Sequence, residues 1–310
     1  MDFLNILSRR VGFAQKEVLL SPHTTFGIGG RCRLFVQPCS CDEICKTVDF
    51  CRDNGVLYTI MGNGSNLLFG DDGFDGVVIK LGKCFADVVV NENKVIAQAG
   101  ATTKRVYNLA KKHGLGGMEF LATLPASVGG ATTLNAGCFG KCTADLVEKV
   151  WATDGKSTKV FDKNDCRFGY RDSVFKANGF VVTTVQFCLH RADPCVTEKI
   201  YLDTICKKRQ SQPLDKKSAG CFFKKHDGIS AGYFIDKLGL KGVCVGDAQI
   251  SQKHAGFVIN NGNATCSQVL QLVDLIQTKC KNTFGFVLEP EVVLCGSTHD
   301  FRRLSYTYSL

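Results

Sequence analysis

No apolar run in the 310-residue sequence reaches the roughly 18 residues that a membrane-spanning helix needs; the longest, such as Val88-Val89-Val90, are strand-sized. The opening Met1-Asp2-Phe3-Leu4 starts no basic segment followed by an apolar core, so a secretory signal is not expected. Cys-x-x-Cys pairs are missing. The spacings Cys41-x3-Cys45 and Cys138-x3-Cys142 have no histidine at ligand distance along the chain, which argues against a metal site. There is no zinc-finger spacing, no aromatic RNA-binding signature, no internal repeat and no low-complexity segment. These absences describe a soluble intracellular protein.

What is present is ordinary in proportion: 45% apolar and 22% charged residues, which excludes a disordered chain, a collagen-like fibre and a coiled coil. A chain of 33.8 kDa implies two domains, or three small ones, with roughly three-quarters of the unfolded surface buried on folding. Seventeen cysteines are many. A disulfide framework belongs to short secreted chains, so most are expected to be reduced core residues behaving as small hydrophobes. The formal net charge of +9 includes a cluster at Lys207-Lys208-Arg209, Lys216-Lys217 and Lys224-Lys225. Such a cluster suits nucleic acid or a small polyanion equally well.

Periodicity predicts a strand at 31–38, a helix opened by a capping box at Ser40 and Glu43 and closed by Asn54-Gly55, and a strand at 56–61. Ile44, Val48 and Cys51 share that helix's apolar face. Short strands follow at 76–81, 86–90 and 94–99, then a helix at 103–112 stopped by Gly114. A glycine-rich tract runs from Gly114 to Gly140. Strands resume at 150–153 and 181–189, and Asp193-Pro194 marks a domain boundary. Helices are expected at 198–209, 231–238 and 267–281, and a closing strand at 286–294. Strands and helices without regular alternation indicate an α+β class.

Five segments carry chemistry. Gly62-Asn63-Gly64-Ser65-Asn66 follows a predicted strand and is either an ordinary polar turn or a cradle for a diphosphate. It is not a Rossmann fingerprint, because Leu67 stands where the third glycine belongs and no helix follows. Ser127-Val128-Gly129-Gly130 and Asn135-Ala136-Gly137 form a second such stretch. Gly169-Tyr170-Arg171-Asp172-Ser173 sets an arginine among small and aromatic residues, either paired with Asp172 or free to grip a carboxylate. Ser218-Ala219-Gly220-Cys221-Phe222-Phe223-Lys224 places a thiol after glycine. In Leu288-Glu289-Pro290-Glu291-Val292-Val293-Leu294, strand alternation would put Glu289, Glu291 and Val293 on one face.

Together with Thr24-Thr25-Phe26-Gly27-Ile28-Gly29-Gly30 and Gly246-Asp247-Ala248-Gln249-Ile250-Ser251, these motifs occur in one order over about residues 20–296. In that order the chain resembles the UDP-N-acetylenolpyruvoylglucosamine reductase family, flavoenzymes that make UDP-N-acetylmuramate for peptidoglycan, in its shorter type. The resemblance implies an FAD-binding region of the vanillyl-alcohol-oxidase kind at 20–193, in two subdomains divided near 70–80. It implies an α+β substrate domain at 194–296, whose final strand returns to the FAD region, and a polar tail at 297–310. FAD would be held non-covalently by Gly62, Asn63, Gly64, Ser65, Asn66, Ser127, Gly129, Gly130, Asn135 and Gly137. NADPH would be the co-substrate, and the UDP-sugar enolpyruvyl ether would meet Tyr170 and Lys224. Arg171 matches the family's carboxylate-holding arginine, Glu291 its polarising glutamate, and Cys221 stands where its proton-donating serine is usual. A cytoplasmic monomer with no metal, nucleic acid or membrane partner is expected.

Two departures from the family pattern are visible. Gly-Ile-Pro-Gly appears as Thr123-Leu124-Pro125-Ala126, and the Lys-Asn after the two phenylalanines is Lys224-Lys225. The runner-up reading is a flavin oxidase of another small molecule in the same fold. A third is a nucleic-acid-binding protein using the basic cluster.

Overall fold

The computed structural model describes residues 3–9 and 11–296; the expected polar tail lies outside the described residues. The predicted strand–helix–strand run forms as Arg31–Val36, Cys41–Asp53 and Tyr58–Met61. Ser40 caps the helix, its Oγ accepting from the Glu43 amide at 3.1 Å. The reciprocal half of the capping box is absent: the Glu43 carboxylate accepts instead from the amides of Cys39 (2.8 Å) and Gly12 (3.2 Å). Ile44, Val48 and Cys51 are fully buried. The helix ends at Asn54, with Gly55 left-handed at φ +61°, a conformation glycine adopts without Cβ strain.

The chain divides into two compact units. The first comprises residues 1–16, 34–63 and 76–207. Tyr58–Met61 pairs in parallel with Phe74–Lys80, so that Met61 stands opposite Lys80. An antiparallel sheet of five strands follows, in the spatial order Thr158–Asp162, Val147–Thr153, Val181–Cys188, Lys94–Gln98 and Val88–Asn91. Its apolar face, with Val95, Ala97, Val150, Val185 and Phe187, closes a core with Ile44, Val106 and Tyr107 of the flanking helices.

The second unit comprises residues 17–33, 64–75 and 208 onward. Its antiparallel sheet runs Lys217–Cys221, Phe257–Asn260, Ala248–Ile250, Cys244–Val245. The helix Cys266–Phe284 packs on it, burying Val269, Leu272, Val273 and Ile276 in a core shared with Phe26, Leu68 and Phe222. Val293–Cys295 pairs in parallel with Leu67–Phe69.

Three expectations are corrected. The tract from Gly114 to Gly140 contains two short helices, Glu119–Ala122 and Val128–Thr133; two glycines and two threonines in the second hide it from propensity. The closing strand is confined to Val293–Cys295. Before it, Pro290 forms only an isolated bridge with Phe223, although the expected alternation holds in burial: Leu288, Pro290 and Val292 are buried, and Glu289, Glu291 and Val293 are more exposed. Of the seventeen cysteines, none of them in a disulfide, Cys32, Cys51, Cys166, Cys266, Cys280 and Cys295 are buried, whereas Cys39, Cys84, Cys188, Cys195, Cys206 and Cys244 are exposed. Core filling accounts for only the first group.

Among the described residues, no helix is long and apolar enough to cross a membrane, and no group of three or more His, Cys, Asp or Glu side chains is arranged to hold a metal ion.

Candidate functional site

In the first unit the two glycine-rich stretches meet. Gly62 leaves the strand Tyr58–Met61, and a Cβ added there would lie 1.9 Å from Ser127 Oγ. Only bare backbone fits. Ser127 begins the helix Val128–Thr133, its Oγ accepting from the Gly130 amide at 3.3 Å. Gly129 packs so closely on Ala99 that a Cβ would stand 2.8 Å from the alanine methyl. Asn63 donates from Nδ2 to the Pro125 carbonyl at 3.2 Å. The departures at Thr123 and Ala126 are absorbed without strain: Thr123 has φ −83°, and Ala126 is not among the left-handed residues.

A residue the motifs did not single out joins this group. Lys80 closes the strand Phe74–Lys80, and its Nζ donates to the Gly62 carbonyl. Burial pushes its ammonium down to about 8. The signal in the sequence was a lone cation ending the apolar run Val77-Val78-Ile79.

Asn135 and Gly137 build the neighbouring wall. Asn135, left-handed at φ +42°, donates from Nδ2 to the Gly169 carbonyl (2.8 Å) and accepts at Oδ1 from the Ala144 amide (2.9 Å). It thereby pins a two-residue turn, closed by Gly169 and Asp172 amides bonding each other's carbonyls at 3.0 and 3.3 Å. Tyr170 and Arg171 form its tip. Arg171 is itself left-handed at φ +54°, a strained state for a residue with a Cβ that clusters at functional sites. Its Nη2 donates to the Gly137 carbonyl at 3.0 Å, and its guanidinium stands 5.3 Å from the Tyr170 ring centre. Asp172 is engaged by Lys176 at 3.4 Å.

In the second unit Cys221 ends the strand Lys217–Cys221 after a register shift beyond Ser218. Gly220 is left-handed at φ +83° with open space around it. A bulge of this kind re-aims the next side chain, here the half-buried thiol of Cys221. Phe222 continues the frame: its carbonyl accepts from the Glu291 amide at 2.8 Å, and the Lys224 amide donates to the Glu289 carbonyl at 2.8 Å. Cys221 and Glu291 are thus tied through one residue. Glu289 is turned to the surface, where its carboxylate pairs with Lys224 Nζ. Asn66 completes the arrangement, donating from Nδ2 to the Glu291 carbonyl at 3.0 Å. Gly64, left-handed at φ +65°, would place a Cβ 2.5 Å from the His23 carbonyl, so its glycine is a backbone necessity before any ligand is considered. The chain therefore gathers Gly62, Asn63, Ser127, Gly129, Gly130, Asn135, Gly137, Tyr170 and Arg171 in the first unit. It gathers Gly64, Ser65, Asn66, Cys221, Lys224 and Glu291 in the second.

In this mixed α+β fold residues 32–160 match the FAD binding domain model, which defines the class as an FAD-binding flavoprotein. Residues 212–295 match the model of the UDP-N-acetylenolpyruvoylglucosamine reductase C-terminal domain. The chain is 38% identical over 283 residues to the UDP-N-acetylenolpyruvoylglucosamine reductase of Clostridium botulinum (strain 657 / Type Ba4), covering 91% of this chain and 92% of that one. It is 38% identical over 275 residues to that of Caldanaerobacter subterraneus subsp. tengcongensis, covering 88% and 91%. The crystal structure of UDP-N-acetylenolpyruvylglucosamine reductase from Thermus caldophilus superposes with a TM-score of 0.78 at 34% identity, covering 91% of this chain and all of that one. The chain belongs to the UDP-N-acetylenolpyruvoylglucosamine reductase family.

Proposed function

We propose that the protein reduces UDP-N-acetylenolpyruvoylglucosamine to UDP-N-acetylmuramate in peptidoglycan synthesis, with FAD as bound cofactor and NADPH as reductant. The observation that carries this reading is the frame joining Phe222 to Glu291, which ties an acid, Cys221, to a carboxylate through a single residue.

The residues present fit FAD: Gly62 and Gly129 bring backbone into close approach with Ser127 and Ala99, leaving a loop whose polar groups are mainly backbone, with the Lys80 ammonium on the Gly62 carbonyl. Gly62, Asn63, Gly64, Ser65 and Asn66, with Ser127, Gly129, Gly130, Asn135 and Gly137, would hold the dinucleotide non-covalently. When reduced, the flavin supplies the hydride that the β-carbon of the unsaturated acid requires.

The chain's own residues do the rest. Arg171, fixed at the tip of its turn, holds the substrate carboxylate as a charge-assisted fork, and Tyr170 lines the approach. Negative charge develops on the α-carbon and carboxylate as hydride adds. A preorganised donor aimed there is typically worth on the order of a hundred- to thousand-fold in rate. Glu291 polarises the same group, and Cys221 Sγ delivers the proton to the α-carbon. Lys224 contributes positive charge toward the sugar nucleotide. The enzyme works as a monomer in the cytoplasm, and its basic residues serve small polyanions in place of nucleic acid.

The test is spectroscopic. Purified protein is expected to show a flavin spectrum that NADPH bleaches without oxygen and that UDP-N-acetylenolpyruvoylglucosamine restores with formation of UDP-N-acetylmuramate. Bleaching followed by restoration with oxygen alone would assign an oxidase instead.

A further inference from the structure

Lys80 is a cation without a matching anion. It stands at the end of Phe74–Lys80 opposite Met61, and the strand's next step, the Leu81 amide, bonds the Met61 carbonyl at 2.8 Å. The side chain reaches the following residue, donating one of its three ammonium hydrogens to the Gly62 carbonyl. Among the described residues no carboxylate pairs with it. No charged side chain of the described residues acts on it from a neighbouring element, and burial is what lowers its pKa.

Burying an unpaired charge is costly, and proteins otherwise pair or neutralise it. Here the ammonium still carries its charge at neutral pH, because its pKa of about 8 lies above 7. The chain keeps this cation within reach of a loop where Gly62 must lack a side chain to clear Ser127 Oγ. An anion at this loop would find an ammonium with two further hydrogens to donate beyond its bond to the Gly62 carbonyl.

We propose that Lys80 is a binding residue for the cofactor's diphosphate, whose negative charge supplies the ammonium's missing partner. The inference rests on the reading of residues 62–66 as the diphosphate loop. It assigns Lys80 a dual part: holding the Gly62 carbonyl and neutralising the ligand.

Binding must then be coupled to the proton on Lys80. Below pH 8 the ammonium is charged with or without ligand, so affinity is constant. Above pH 8 the free protein loses the proton while the bound form, its pKa raised by the diphosphate, retains it. Affinity therefore falls with rising pH, by at most about tenfold per unit.

The experiment measures FAD release from the holoenzyme by ultrafiltration between pH 7 and 9.5, for wild type, Lys80→Met, Lys80→Arg and Asn63→Asp. Loss of a charge-assisted hydrogen bond weakens binding on the order of ten- to a hundredfold, which is expected for Lys80→Met at pH 7, with a flat profile above 8. Lys80→Arg, permanently charged, is expected to bind near the wild-type level and to lack the decline above pH 8. Asn63→Asp places a negative charge in the loop and is expected to weaken binding independently of Lys80. Wild-type affinity in Lys80→Met, with weakened Asn63→Asp, would show that Lys80 only pins the loop and would overturn the inference alone. Unchanged affinity in both would remove the loop reading and the inference with it. If Lys80→Met fails to fold, a Lys80→Arg profile that declines as the wild type does would equally overturn it.

Discussion

At the scale of single residues, the proposed proton donor Cys221 stands where the resemblance implies a serine. A thiol has a reference pKa near 8.5, far below a serine hydroxyl. A thiol is therefore intrinsically the stronger acid toward the α-carbon. The bulge at Gly220 and the bond between the Phe222 carbonyl and the Glu291 amide fix where it stands. Cys221→Ala is expected to leave reduction by NADPH nearly intact and to slow reoxidation by the enolpyruvyl substrate by roughly a hundred- to ten-thousandfold, the usual worth of a placed proton donor. Cys221→Ser should recover much of it. Stopped-flow absorbance of the two half-reactions decides; an alanine variant that reoxidises at the wild-type rate removes the thiol from the reaction. Arg171 and Asn135 were legible as residues in the sequence, but their left-handed backbones and mutual anchoring through Gly169 and Gly137 were not. Side-chain type is local information, whereas φ at a tight turn is imposed by what the turn is tied to.

At the scale of elements, Thr102 and Thr265 accept from the amides three residues on, as Ser40 does. Of these caps, that of Ser40 was legible from its sequence pattern. A distant cap was not. Asp71 accepts from the Cys266 amide (2.6 Å), the Ser267 amide (2.9 Å) and Ser267 Oγ (2.7 Å), at the start of the helix Cys266–Phe284. A carboxylate there satisfies donors that the helix leaves open and complements its dipole. Asp71→Ala is expected to cost about 1 kcal/mol, seen as a fall of roughly two to four degrees in Tm. Asp71→Asn should lose less, because it keeps an acceptor. Equal Tm for all three proteins would mean that solvent replaces the cap. The final strand failed for the complementary reason. Its alternation holds in burial, but Pro290 cannot donate to a ladder and forms only an isolated bridge with Phe223, so the strand proper is Val293–Cys295.

At the scale of the whole molecule, buried thiols set the response to alkali. Burial pushes Cys51 and Cys166 up to about 12, and Cys32 and Cys280 up to about 11. Unfolded, each ionises near 8.5. Raised pKa values in the folded state mean that stability is complete below about pH 8.5 and is lost as pH climbs toward 11 to 12. Each thiol contributes a slope approaching 1.4 kcal/mol per pH unit across that window, by proton linkage. Lys80 works in the opposite direction, since its lowered pKa relieves a burial cost above pH 8, but it is one group against four. The urea midpoint is expected to drop between pH 8.5 and 10. Cys51→Ala, whatever its cost at neutral pH, should drop less steeply over the same interval. Parallel slopes for the two proteins would contradict the assignment.

The sequence by itself determined the α+β class, the helix Thr103–Lys112 with its stop at Gly114, the buried face of Cys41–Asp53, and the family, because motif order and hydrophobic period are properties of the chain taken in order. Only the tertiary structure decided that residues 17–33 and 64–75 count with the C-terminal unit, that six cysteines face solvent, and that Lys80 meets Gly62. Those outcomes depend on contacts between segments far apart in sequence, which no local pattern encodes.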